Sequence, residues 1–127
     1  MTKITFFKSD GVFYGFEESG HTLYGEEGDD ILCSALSSMT MLIINTIEVG
    51  FGSIADYTID EETTTVRLIA RSALPVFEED ESVRFAVSGL IMAYYHQLSE
   101  LVEEYFDYLD VKVIDKEPED FVMQANT

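Results

Sequence analysis

His21 and Cys33 are the side chains in this sequence best suited to covalent chemistry, and twelve positions separate them. The chain between them carries Gly25, Glu26, Glu27, Gly28, Asp29 and Asp30. A thiol attacks as its thiolate, and a helix N-terminus or a nearby imidazolium favours that form. A histidine within reach can take the thiol proton as a base and return it as an acid. Cys33 is the sole cysteine, so no internal disulfide competes for it, which fits a reducing compartment.

Asp29 and Asp30 are good helix N-cap types. After them Leu32, Ala35, Leu36, Met39, Leu42, Ile43 and Thr46 recur at helical spacing, and Gly50 and Gly52 mark the end. This spacing predicts a helix starting at Ile31 with Asp30 as its N-cap. Ile31, Leu32 and Cys33 would then be the first helical positions, whose N–H groups lack acceptors and can hold an oxyanion. Gly20, Gly25 and Gly28 would let the preceding loop fold His21 back toward Cys33, and open again as a gate.

The surrounding acids oppose ionisation of a bare Cys33 and favour a protonated His21. Activation is therefore expected to depend on an imidazolium–thiolate pair rather than on the helix dipole alone. Asp30 has two readings, a simple N-cap or a third group that orients His21. From residue types alone, a lone cysteine is most often a small buried hydrophobe. A redox-sensing thiol is a third reading.

These residues must be positioned by the rest of the chain. Ile4 to Lys8 and Val12 to Glu17 flank the turn signal Asp10-Gly11 and read as a β-hairpin. Strand candidates follow at Ser53–Ile59 and Thr63–Arg71. A second helix is expected from the acidic run Glu78-Glu79-Asp80-Glu81 through about Phe106, with Val83, Val87, Leu90, Tyr94, Leu98 and Leu101 at helical spacing. A last strand covers Val111–Ile114. The order β-β-α-β-β-α-β predicts an α+β fold, with two helices packed on one mixed sheet. The first helix is apolar nearly all round after Met39 and is expected to be deeply buried. Residues 1–117 read as a single domain, and 118–127 as a fraying tail.

At 127 residues, with 46% hydrophobic content, nine Phe and seven Tyr, the chain can bury a core despite a net charge of −18. That charge disfavours direct nucleic-acid binding, because phosphate contacts need Lys and Arg. From Ser9 to Val66 there are twelve Asp or Glu and no Lys or Arg. A basic partner would be drawn to this stretch, and salt would weaken the attraction.

No apolar run approaches the ~18–20 residues of a membrane span. The first residues lack the long apolar stretch of a signal peptide, so a cytoplasmic location is expected. His96 has no partners at ligand spacing and reads as a surface or core residue. No phosphate-binding glycine motif occurs, and no cofactor or metal is expected.

Gly20-His21, then Gly28, then Asp30-Ile31-Leu32-Cys33-Ser34-Ala35-Leu36-Ser37 together resemble the bacterial ribosomal-processing cysteine proteases, the Prp family. The family pattern is Gly-His, a short Gly-containing loop, then Asp-Ile-Val-Cys followed by small residues and a Ser. Thr22, Leu32 and Ser34 depart from it mildly, at positions that concern pocket shape. The resemblance spans nearly the whole chain. It implies Cys33 as nucleophile and His21 as general base and acid. It also implies a homodimer whose substrate is a large-subunit ribosomal protein, number twenty-seven, trimmed of an N-terminal extension after two aromatic residues. Asp30, Gly20, Gly28, Ser34 and Ser37 are the supporting positions. The competing class is a non-catalytic acidic module that binds the basic ribosomal protein as an assembly factor.

Overall fold

The computed structural model describes residues 1–20, 27–60 and 62–118, with the backbone alone described at 27–30. The elements run β1 (Thr2–Ser9), β2 (Val12–Ser19), α1 (Glu27–Asn45), β3 (Ala55–Asp60), β4 (Thr65–Ala70), α2 (Glu81–Tyr105) and β5 (Leu109–Asp115). The strands form one mixed sheet in the order β3-β4-β2-β1-β5, with β5 parallel to β1 and the other pairs antiparallel. This is the expected α+β fold and the expected element order.

Asp10 and Gly11 both take positive φ, 50° and 80°, as the tight turn between β1 and β2 demands. The register aligns Phe6 with Phe16 and Val113, and Phe16 with Leu68. Side chains alternate along a strand, so Ile4, Phe6, Phe16, Glu18 and Leu68 share one face. Both helices lie on that face. The Tyr94 ring of α2 sits 5.7 Å from Phe6 and 5.1 Å from Phe16, and Thr40 of α1 reaches Glu18. Edge-on aromatic contacts of this kind add about 0.5–1.5 kcal/mol each beyond area burial. On the other face Phe7 stacks on Tyr14, whose hydroxyl donates to the Lys116 carbonyl at 2.7 Å.

Asp80 caps α2 by accepting from the Ser82 N–H at 2.9 Å. Val87, Ile91, Tyr94 and Leu98 form its buried stripe. In α1 the buried residues are Leu32, Leu36, Thr40, Ile43 and Ile44, and Ile47 continues them in the turn that follows. The helix closes in a π-helical turn, Thr46–Gly50.

Three expectations for α1 are corrected. It begins at Glu27, not at Ile31; acidic residue types suit a first helical turn, so the turn forms through Gly28. Its burial is one-sided, because Ile31, Met41 and Leu42 are exposed. Segment Ile31–Gly50 is also long and apolar enough to cross a membrane, contrary to the expectation that no run reaches that length. The spacing of its buried residues makes it a core helix on one side.

Gly20 closes β2 with φ +83°, and a Cβ there would sit 2.3 Å from the Met1 carbonyl oxygen. Gly11 has φ +80° but open space around it. Gly20→Ala should therefore lose about 2 kcal/mol or more in urea unfolding, against about 1 kcal/mol for Gly11→Ala. Equal losses would show that the backbone contact at Gly20 is immaterial.

Candidate active site

Cys33 is the seventh residue of α1, in its second turn, and is half-buried. At 100° per residue it falls on the flank of the buried stripe, between the directions of Thr40 and Ile44. Ser37, one turn further on, is exposed, as is Ser34. The thiol thus stands at the border between core and solvent.

The start of α1 at Glu27 changes what surrounds it. Asp30 is the fourth residue of the helix and not its N-cap. Gly28 lies inside the first turn, so its expected role in loop flexibility is replaced by a helical one. The N–H groups of Ile31, Leu32 and Cys33 point to carbonyls four residues earlier within the helix, and the open donors precede Ile31. The macrodipole's effect falls off within the first turn, so it acts less on Cys33 than a cap at Asp30 would allow. Gly20 is required by its positive φ and its contact with Met1, rather than by mobility. His21 and the side chain of Asp30 lie outside the described residues, as do Gly25 and the expected tail from 119 onward.

Thr40, two turns along this flank, belongs to a buried polar cluster that no motif in the sequence marks. Glu18 of β2 is only 1% exposed. Its Oε1 accepts from the Thr40 hydroxyl at 3.0 Å and from the Tyr94 hydroxyl at 2.5 Å. The two hydroxyl oxygens are themselves 3.4 Å apart. The signal was present as phase: Glu18 follows the inward Phe16 by two residues, and Thr40 and Tyr94 fall on the core stripes of their helices. His96 is exposed on α2. Among the described residues no group of three His, Cys, Asp or Glu side chains could hold a metal ion.

A family profile described as Cysteine protease Prp matches residues 1–110. The chain belongs to the Prp cysteine protease family. Its fold is similar to the crystal structure of SMU.848 from Streptococcus mutans, with a TM-score of 0.75 and 27% identity over 91% of this chain and 99% of that one. It is also similar to an essential ribosomal processing protease Prp from Staphylococcus aureus in complex with a substrate peptide. There the TM-score is 0.67 and the identity 17%, over 91% of this chain and 100% of that one. The same protease with a covalently linked product peptide gives a TM-score of 0.67 at 17% identity, over 90% and 100% of the two chains. These two likenesses are ones of fold. No curated protein matches the chain in sequence.

Burial pushes the Tyr94 hydroxyl far above its ordinary value, and the adjacent Glu18 carboxylate pushes it further in the same direction. Below about pH 10 the phenol is protonated in both folded and unfolded chains and contributes no pH dependence. Above it the unfolded chain releases a proton that the folded chain keeps, so stability falls by up to about 1.4 kcal/mol per pH unit. Tyr94→Phe should flatten the alkaline limb of stability against pH, measured by urea unfolding from pH 9 to 11, relative to the parent chain. An unchanged limb would place the hydroxyl in contact with solvent.

Proposed function

We propose that this chain is a cysteine endopeptidase that removes the N-terminal extension of a bacterial large-subunit ribosomal protein, number twenty-seven, cutting after its aromatic pair. The observation that carries the reading is the family match over residues 1–110, with the sole cysteine half-buried at the edge of α1. The S. aureus relative's complexes with a substrate peptide and with a covalently linked product peptide support it by analogy.

In this reading His21 takes the Cys33 proton, and Sγ attacks the carbonyl carbon of the scissile bond. His21 then gives that proton to the leaving amine, leaving a thioester on Cys33. Water, deprotonated by His21, attacks the thioester and releases the carboxylate, and the thiol is restored. Because Cys33 lies in the second turn of α1, the imidazolium is the principal stabiliser of its thiolate. The acidic stretch from Ser9 to Val66 attracts the basic substrate. The reading includes a cytoplasmic location and a homodimer. The exposed Ile31, Met41 and Leu42 on α1 and Val49 in the turn after it offer an apolar surface for such pairing.

Incubation with the extended ribosomal protein should release a short N-terminal peptide, detected by mass spectrometry. Cys33→Ala should reduce release to background while its circular dichroism stays native. Release by that variant would sink the mechanism and leave a binding module as the surviving class. Alkylation of Cys33 by iodoacetamide should persist near pH 6, and His21→Ala should shift its midpoint toward the ordinary thiol range near ~8.5. A midpoint that ignores His21 would remove the ion pair.

A further inference from the structure

Glu18 is the one carboxylate among the described residues of the core. Its register neighbours on β1 and β4 are the apolar Ile4 and Val66. A carboxylate taken from water into such surroundings costs several kcal/mol unless hydrogen bonds compensate it. Two hydroxyls do so from two different helices, Thr40 of α1 and Tyr94 of α2, both on Oε1. Apolar side chains of the same volume commonly give equal or greater stability at such a point. Hydrogen bonds add what apolar contacts lack, which is direction.

The direction matters because of what lies next along each chain. Glu18 precedes Gly20 by two residues and His21 by three. Gly20 is itself fixed by φ +83° and its approach to Met1. Thr40 follows Cys33 by seven residues, which is two helical turns and about 10 Å along the axis, on the same flank. One carboxylate oxygen therefore joins the strand end that leads into Gly20-His21 to the helix that carries Cys33.

We propose that Glu18, Thr40 and Tyr94 form a positioning network that sets the height and rotation of α1, and so of Cys33, against the end of β2. The network acts through Cys33 and does not touch substrate. This inference rests on the protease reading for its catalytic readout only. The coupling to Cys33 is read separately through alkylation of the thiol.

The experiment compares the parent chain with Tyr94→Phe, Thr40→Val, Thr40→Ser and the apolar triple variant Glu18→Met/Thr40→Val/Tyr94→Phe. Melting midpoints, kcat and KM for an extension peptide, and the rate of Cys33 alkylation at pH 7 are measured for each. The triple variant should keep or raise its melting midpoint. Its kcat should fall about ten- to a hundredfold with KM within about twofold, since small misplacements of a reacting group cost rates of that order. Its alkylation rate should change by about threefold or more, in the scale of a displaced ionisable thiol. Thr40→Val and Tyr94→Phe each remove one hydroxyl and should show the same split in smaller measure, while Thr40→Ser restores the parent values.

Folded variants with parental kcat and parental alkylation rates would overturn the network's role, as would equal losses in Thr40→Ser and Thr40→Val. If the parent chain cleaves nothing, the protease reading fails on its own. The altered alkylation rate then still carries the coupling, and an unaltered one overturns it.

Discussion

Tyr94 has an apolar ring and a polar tip, and the two layers of this fold meet through both. The ring is held edge-on by Phe6 and Phe16, on neighbouring strands whose register sets them side by side. That contact fixes where α2 crosses the sheet. The hydroxyl then has no water to bond and must find an acceptor inside the protein. Glu18 supplies it, and Thr40 brings α1 to the same oxygen. Removing the ring would open a cavity under α2. Removing the carboxylate would leave two buried hydroxyls to satisfy each other at 3.4 Å, which is a long and weak substitute.

Much of this architecture is legible in the amino-acid order because local and global preferences agree there. Asp10-Gly11 is a strong hairpin signal, and its positive φ values are what those two residue types tolerate. The stripe Val87, Ile91, Tyr94 and Leu98 has a single period and a capping aspartate before it. The β4 run Thr65–Ala70 is rich in β-branched residues. The start of α1 misled because Asp29-Asp30 satisfies two rules at once. Aspartate suits an N-cap and suits a first turn, and only three-dimensional context chooses between them. The burial of α1 is not legible in composition, because it follows phase. Met41 and Leu42 are apolar but point away from the stripe that contains Leu36, Thr40 and Ile43.

The polar members of the core were the least legible. Acidic residues fill this chain, and one more glutamate in Glu17-Glu18 carries no mark of its own. Its meaning comes from parity. Phe16 faces the helices, so Glu18 does too, while Glu17 faces the other way. Cys33 was legible as chemistry and less so as geometry. Its type and its interval from His21 mark it as a candidate, yet its height on α1 depends on a boundary that sequence places four residues too late.

That shift in the boundary redistributes the electrostatics of the site. At a first-turn position, open N–H groups and the helix dipole would share the work of holding a thiolate. In the second turn those donors are committed to the helix ladder, and the field has weakened. The stretch from Ser9 to Val66 offers no lysine or arginine to replace them. Under the proposed mechanism His21 is then the one cation that the local sequence can bring to Cys33. A site of this kind ties activity to the protonation of a single imidazole and to the distance between two chain segments. It therefore needs those segments held by something stiffer than apolar packing. The Gly20 contact with Met1 fixes one segment, and the hydrogen bonds converging on Glu18 fix that segment to the other.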